Sequence, residues 1–285
     1  MKILVAGANG QLGQELVQQL QQTNVELYAF TKTDLDICNL TNVQQVVNEI
    51  QPDIIINAAA FTKVDLAETE QDIAFNINAY GQRNLAVAAE QVGAKICYIS
   101  TDYVFDGNAT EPYDEYALVN PIGVYGKSKY AGEQLTQTLN SKYFIVRTAW
   151  VYGEYGPNFV KTMLRLAKER DELGVVSDQF GSPTYTVDLA TFLVELVQTE
   201  KYGIYHCTNS GSCSWYEFAQ AIFEESNIDI KVIPLTTDQY PTPAKRPNYS
   251  VLGDKALKLN GFQPVRDWRD GLKVFLNNAK NNNLL

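Results

Sequence analysis

Histidine is nearly absent: the chain of 285 residues has one, His206. That excludes zinc sites built from several imidazoles, and a Ser-His-Asp hydrolase would have to use this ring. It lies in Gly203-Ile204-Tyr205-His206-Cys207, which reads as a strand with neighbouring side chains on opposite faces. His206 and Cys207 therefore do not form a dyad, and His206 is read as structural. Cysteine is scarce too. Cys38, Cys97, Cys207 and Cys213 lack close paired spacing, so neither a disulfide framework nor a zinc quartet is suggested. Although 45% of residues are hydrophobic, no run approaches the ~20 apolar residues of a membrane span. The amino terminus enters a strand with no signal-peptide pattern. A cytoplasmic protein with no membrane partner is expected. Lysine and arginine total 23 against 33 acids, a net charge of -10, so no basic stripe awaits a nucleic-acid polymer. A small anionic ligand needs only a local cationic patch.

What the chain does have is a strand, a glycine turn and a helix in the right order. Lys2 to Ala6 is a short apolar run, followed by Gly7-Ala8-Asn9-Gly10-Gln11-Leu12-Gly13 and a helical pattern. Gly7, Gly10 and Gly13 let the backbone turn tightly and approach a pyrophosphate, whose charge meets free N–H groups at the helix start. At the end of the second strand, Thr31-Lys32-Thr33 stands where an NAD-selective site places an acid. Lys32 suits a 2'-phosphate instead, which favours NADPH, with NADH as the alternative. Strands near residues 2, 25, 53, 95 and 142 alternate with helices near 12–22, 41–51, 68–91 and 125–139. The expected fold is α/β: a Rossmann-type doubly wound parallel sheet over residues 1–150. Residues 151–285 are expected to form mainly a smaller substrate lobe, with some later segments returning to the first domain. Asn158–Arg170, Val187–Thr199, Trp215–Ser226 and Trp268–Ala279 are assigned to that lobe, and the tail from Lys280 is read as frayed.

Tyr125-Gly126-Lys127-Ser128-Lys129 places a phenol and an ammonium on one helix face. A nearby cation favours the phenolate and lowers a pKa that is otherwise about 10, so Tyr125 is a candidate general acid. Asp238 to Pro247 has three prolines in ten residues and reads as a loop, and its Arg246 is a candidate for a diphosphate. Thr148 to Tyr152 reads as a continuing strand, which leaves Trp150 open between core and site.

The blocks GANGQLG, NAAAFTKVDLAE, STDYVFDG and YGKSK closely resemble those of the dTDP-4-dehydrorhamnose reductases, in the extended short-chain dehydrogenase/reductase family. The resemblance continues through RTAWVYG, DQFGSPTY and AKRPNYSVL, nearly end to end. It implies that Tyr125 is the proton donor, that Lys129 binds the nicotinamide ribose and acidifies the phenol, and that Thr101 is the third catalytic group. It implies further that Gly10, Gln11 and Leu12 meet the pyrophosphate and that Asp36 and Ile37 lie on the adenine side. Ala60, Phe61 and Thr62 would contact the cofactor, and Thr101, Asp102 and Trp150 the sugar nucleotide. Some members bind magnesium; Glu15 is one candidate ligand, but no acid cluster completes a site and no metal is expected. The implied reaction is reduction of the 4-keto group of dTDP-4-dehydro-β-L-rhamnose by a monomer or homodimer. The alternatives are another NAD(P)-dependent nucleotide-sugar reductase or epimerase, and a non-catalytic NADP-sensing regulatory subunit.

Overall fold

A computed structural model describes residues 1–282. Strands buried on both faces carry near-continuous apolar side chains, and such runs form β1 (Lys2–Ala6), β2 (Glu26–Phe30), β3 (Ile54–Asn57), β4 (Lys95–Thr101) and β5 (Tyr143–Thr148). Between them lie α1 (Gln11–Gln21), α2 (Leu40–Ile50), α3 (Val64–Ala67), α4 (Gln71–Phe75), a π segment Asn76–Gly81, α5 (Gln82–Gln91) and α6 (Val124–Leu139). Beyond β5 come β6 (Val151–Tyr152), α7 (Phe159–Ala167), β7 (Glu172–Val176), β8 (Phe180–Gly181), β9 (Thr184–Tyr185) and α8 (Thr186–Val197). The chain continues through β10 (Gly203–His206), β11 (Cys213–Ser214), α9 (Trp215–Ser226), β12 (Lys231–Leu235), α10 (Lys255–Leu259) and α11 (Trp268–Asn281).

The main sheet has six strands in the order β10-β5-β4-β3-β1-β2, all parallel. Alternate residues of one strand feed opposite layers. Ile3, Val5, Ile54 and Ile56 pack with α1 and α8, whereas Leu4, Ala6 and Ile55 pack with α2 and α5. A separate core holds the second lobe, with Phe218 of α9, Phe275 of α11, Val160 of α7 and Leu173 of β7. Local signals start and stop these helices. Asn39 accepts from the N–H of Asn42 at 3.1 Å to cap α2, and Ser214 with Glu217 forms a capping box on α9.

Three expectations are corrected. Val187–Thr199 does not build the substrate lobe: it lies largely in α8, whose Leu189, Leu193 and Leu196 pack against the main sheet. β10 and α10 also return to the first core, through Tyr205, Ala256 and Leu257. The segment Thr148 to Tyr152 is not one strand, because β5 ends at Thr148 and Trp150 has φ +47°, a left-handed backbone that breaks extended pairing. The tail from Lys280 is helical as far as Asn281; residues 283–285 lie outside the described part. Among the described residues no helix is long and apolar enough to cross a membrane.

His206 ends β10 in full burial. Its Nδ1 lies 3.1 Å from the carbonyls of Tyr113 and Gly253, and its Nε2 3.3 Å from Nη1 of Arg147. Burial, then the adjacent guanidinium, push its pKa down to about 3. The ring is therefore neutral when folded and takes up a proton near pH ~6.5 when unfolded, so stability is lost as pH falls through that window. The slope amounts to as much as about 1.4 kcal/mol per pH unit. Urea unfolding of His206→Gln should show a shallower loss of stability between pH ~6.5 and ~4.5 than the unsubstituted chain. Equal slopes would place the acid sensitivity elsewhere.

Candidate active site

The chain passes from β1 to β2 on one side and then returns to β3 on the other side of β1, so a crevice opens beyond the strand ends at this switch point. Gly7 follows β1 with φ +81°, and a Cβ there would lie 2.6 Å from the Ala59 nitrogen. At Gly13 a Cβ would meet the Gly7 oxygen at 2.1 Å. Only glycine permits both approaches. Gly10 is the N-cap of α1 and supplies no side-chain cap, so the first-turn N–H groups at Gln11 and Leu12 are unclaimed by a capping side chain. These residues fit a dinucleotide pyrophosphate.

The residues expected on the adenine side lie together after β2. Asp36 is exposed and accepts from the Cys38 N–H at 3.0 Å, Ile37 is buried, and Lys32 is exposed. Lys32, Asp36, Cys38 and Tyr80 border a cleft of about 680 Å³. In the loop after β3, Ala60 and Phe61 are half-buried and Thr62 is exposed. Asn78 fixes this loop: its Oδ1 accepts from the Phe61 N–H at 2.8 Å, and its Nδ2 donates to Ser128 Oγ at 3.0 Å. One buried amide thus joins the loop after β3 to the helix that bears Tyr125. The sequence reading missed Asn78; its position in a π segment, a helical irregularity common at functional sites, is not visible in composition.

Tyr125 lies in the first turn of α6. Glu68 caps that turn from another element, accepting from the Val124 N–H at 2.9 Å. Gly126 allows the helix to approach Tyr103, since a Cβ there would lie 2.1 Å from the Tyr103 carbonyl oxygen. The Tyr125 ring meets the edge of Tyr103 at 5.6 Å between centroids. Thr101 ends β4; its hydroxyl donates to Asp102 Oδ1 at 3.0 Å and accepts from the Tyr103 N–H at 3.2 Å. Burial, opposed by hydrogen bonds from Ser250 and Thr101, raises the Asp102 carboxyl to about 6. Its Oδ2 is buried without a partner.

One expected effect is reversed. Lys129 does not lower the Tyr125 pKa here: burial pushes the phenol up to about 12, with the Thr101 hydroxyl opposing. The lysine points elsewhere. Its Nζ donates to the Ile99 carbonyl at 2.5 Å and sits 4.1 Å from the Tyr98 ring centroid. Burial also lowers its own pKa to about 7, opposed by Glu133, which weakens its field at neutral pH.

Trp150 is half-buried and stacks on Trp215 with 3.5 Å between ring centroids. Gly181 leaves the space, since a Cβ there would lie 2.5 Å from the indole. Trp215 was not singled out from sequence, because its partner lies 65 positions away. Arg246 does not stand free for a diphosphate: its Nη2 pairs with Asp65 Oδ2 at 2.9 Å, the commoner fate of a loop arginine.

Against known proteins, the model of the RmlD substrate binding domain matches residues 1–281. The spore coat polysaccharide biosynthesis protein SpsK of Bacillus subtilis is 48% identical over 275 residues, 96% of each chain. A dTDP-4-dehydrorhamnose reductase of Aggregatibacter actinomycetemcomitans is 46% identical over 286 residues, covering 95% of this chain and 97% of its own. The crystal structure of dTDP-4-dehydrorhamnose reductase from Bacillus anthracis in complex with NADP superposes with a TM-score of 0.96 at 53% identity, covering 97% of this chain and 99% of that one. The chain belongs to the RmlD substrate binding domain family, alongside these dTDP-4-dehydrorhamnose reductases.

Proposed function

We propose that this chain reduces the 4-keto group of dTDP-4-dehydro-β-L-rhamnose to give dTDP-β-L-rhamnose, using NADPH. The observation that carries the reading is the grouping of Thr101, Tyr125 and Lys129 where β4 meets α6, in a chain of this family. NADPH supplies the hydride, which no side chain can provide. As the carbonyl carbon gains it, charge grows on oxygen; the Thr101 hydroxyl stabilises that charge and Tyr125 gives up its proton. The raised phenol pKa suits this direction, since the acid stays loaded until an alkoxide forms. Lys129 holds the ribose hydroxyls, the turn of Gly7, Gly10, Gln11, Leu12 and Gly13 holds the pyrophosphate, and Lys32 meets the 2'-phosphate. Asp36 and Ile37 border the adenine, and Ala60, Phe61 and Thr62 lie along the cofactor. Asp102 and Trp150 contact the sugar nucleotide. Residues 1–150, with α8, β10 and α10 returning to them, act as the cofactor domain and the rest of residues 151–285 mainly as the substrate lobe, in a cytoplasmic monomer or homodimer.

Turnover of dTDP-4-dehydrorhamnose, followed by NADPH absorbance and product identity, tests the reaction. Stoichiometric NADPH loss supports a reductase; an epimerase returns the hydride, and a sensing subunit binds NADP without turnover. Tyr125→Phe removes one proton donor and almost no volume, so kcat should fall by about 10²–10⁴ while NADPH affinity holds. Unchanged kcat would refute the acid role. Lys32→Ala should lower the preference for NADPH over NADH by about tenfold, the scale of one lost charge-assisted hydrogen bond. An unaltered ratio removes Lys32 from the phosphate site.

A further inference from the structure

Lys129 is only 2% exposed and, among the described residues, has no ion-pair partner of its own. One turn further along α6 stands Glu133, 0% exposed and held by three hydrogen bonds. Arg147 Nε donates to its Oε1 at 2.9 Å, Arg147 Nη2 to its Oε2 at 2.7 Å, and Ser100 Oγ to Oε1 at 2.5 Å. The three residues at the end of β4 therefore have linked duties. The Ile99 carbonyl holds the Lys129 ammonium, the Ser100 hydroxyl is bound to Glu133, and Thr101 carries the catalytic hydroxyl. Arg147 comes from β5, opposite Ser100 in the parallel register. One carboxylate fastens β4, β5 and α6 together directly beneath the catalytic groups.

We propose that Glu133 is a positioning residue for the reduction, clamping the end of β4 against α6 and setting a negative charge one helical turn from Lys129. The rationale is electrostatic as well as mechanical. A buried ammonium sheds its proton unless an opposite charge lies near, and Glu133 is the group that opposes this loss at Lys129. The other titratable or charged groups around it are Tyr125 on α6, Tyr98 on β4, Asp102 and Tyr103 just past β4, and Arg147 on β5. From α3 and α4 come Asp65, which is paired with Arg246, Glu68 at the helix cap and the exposed Asp72. The π segment and α5 meet α6 through the uncharged Asn78 and Gln82, which bond to Ser128 and Thr136. No carboxylate on these elements replaces Glu133 on the helix face it shares with Lys129.

The proposal rests on the reduction argued above, and its test separates the two. NADPH affinity and kcat/KM are measured from about pH 5.5 to 9, where the free-enzyme profile reports the groups that must be charged. In Glu133→Gln the alkaline limb of both profiles should move down by about one pH unit, because the ammonium loses the charge that retained its proton. That variant leaves Arg147 buried and unpaired, which threatens folding. Glu133→Gln/Arg147→Gln, which has neither charge, should fold and show the same displaced limb. Glu133→Asp keeps the charge and should restore the limb. A limb at the original pH in the folded double variant overturns the proposal, whatever happens to kcat. If the unsubstituted chain binds NADPH with its alkaline limb but never consumes it with dTDP-4-dehydrorhamnose, the reduction fails, and the binding limb alone decides the role of Glu133.

Discussion

A cation sealed into the interior beside the reaction centre is the constraint on which the rest of this structure depends. Desolvating an ammonium costs several kcal/mol unless other groups replace its water. At Lys129 the replacements are a backbone carbonyl, an aromatic face and the field of an acid one turn away. Two of them come from β4, Ile99 and Tyr98, and the third, Glu133, from α6. The sheet and helix must therefore meet in one register for the lysine to keep its charge once buried. The buried glycine at position 126 and the amide of Asn78 serve the same register, one by allowing close approach and the other by tying α6 to the loop after β3.

That dependence explains where the fold places its polar groups. The parallel strands are apolar on both faces through most of their length, and the polarity is gathered at their carboxyl ends: Asn57, Ser100, Thr101, Arg147 and His206. Each is buried, and all but one of these side chains are tied to named partners on neighbouring elements or loops; Thr101 is tied to the residues that follow it. Such a network is worth more as an alignment device than as a source of stability, since a buried ion pair such as Glu133 with Arg147 contributes little net stability once its desolvation is counted. Half-satisfied, it would be costly.

The parts of this arrangement that were legible in the sequence are those set by local pattern. Continuous apolar runs located β1 to β5, and the glycine turn at Gly7 to Gly13 could be tied to a nucleotide because strand, turn and helix are adjacent in the chain. The four-residue spacing of Tyr125 and Lys129 correctly put both on α6. What spacing does not encode is direction. Whether the ammonium points at the phenol or at Ile99 depends on β4, 30 residues away, and the expected acidification of Tyr125 failed on that point. Trp150 failed for a related reason: its local sequence is that of a strand, but the stack on Trp215 and the gap at Gly181 hold it in a left-handed conformation. α8 was misplaced because an apolar helix does not declare which of two cores receives it.

The raised Tyr125 pKa is more than a failed expectation, because it bears on direction of reaction. An enzyme that removes a proton from an alcohol needs a phenolate at rest, whereas one that completes a ketone reduction needs a phenol that releases its proton only when negative charge arrives. Burial against Tyr103 and beside the buried carboxyl of Asp102 keeps the proton on. Lys129 does not pull the other way: its Nζ is turned to the Ile99 carbonyl, and its own burial holds it near its titration point at neutral pH. The phenol's acidity is therefore set by its burial, by the Thr101 hydroxyl that opposes it and by the charge of Asp102, and not by the lysine one turn along the helix.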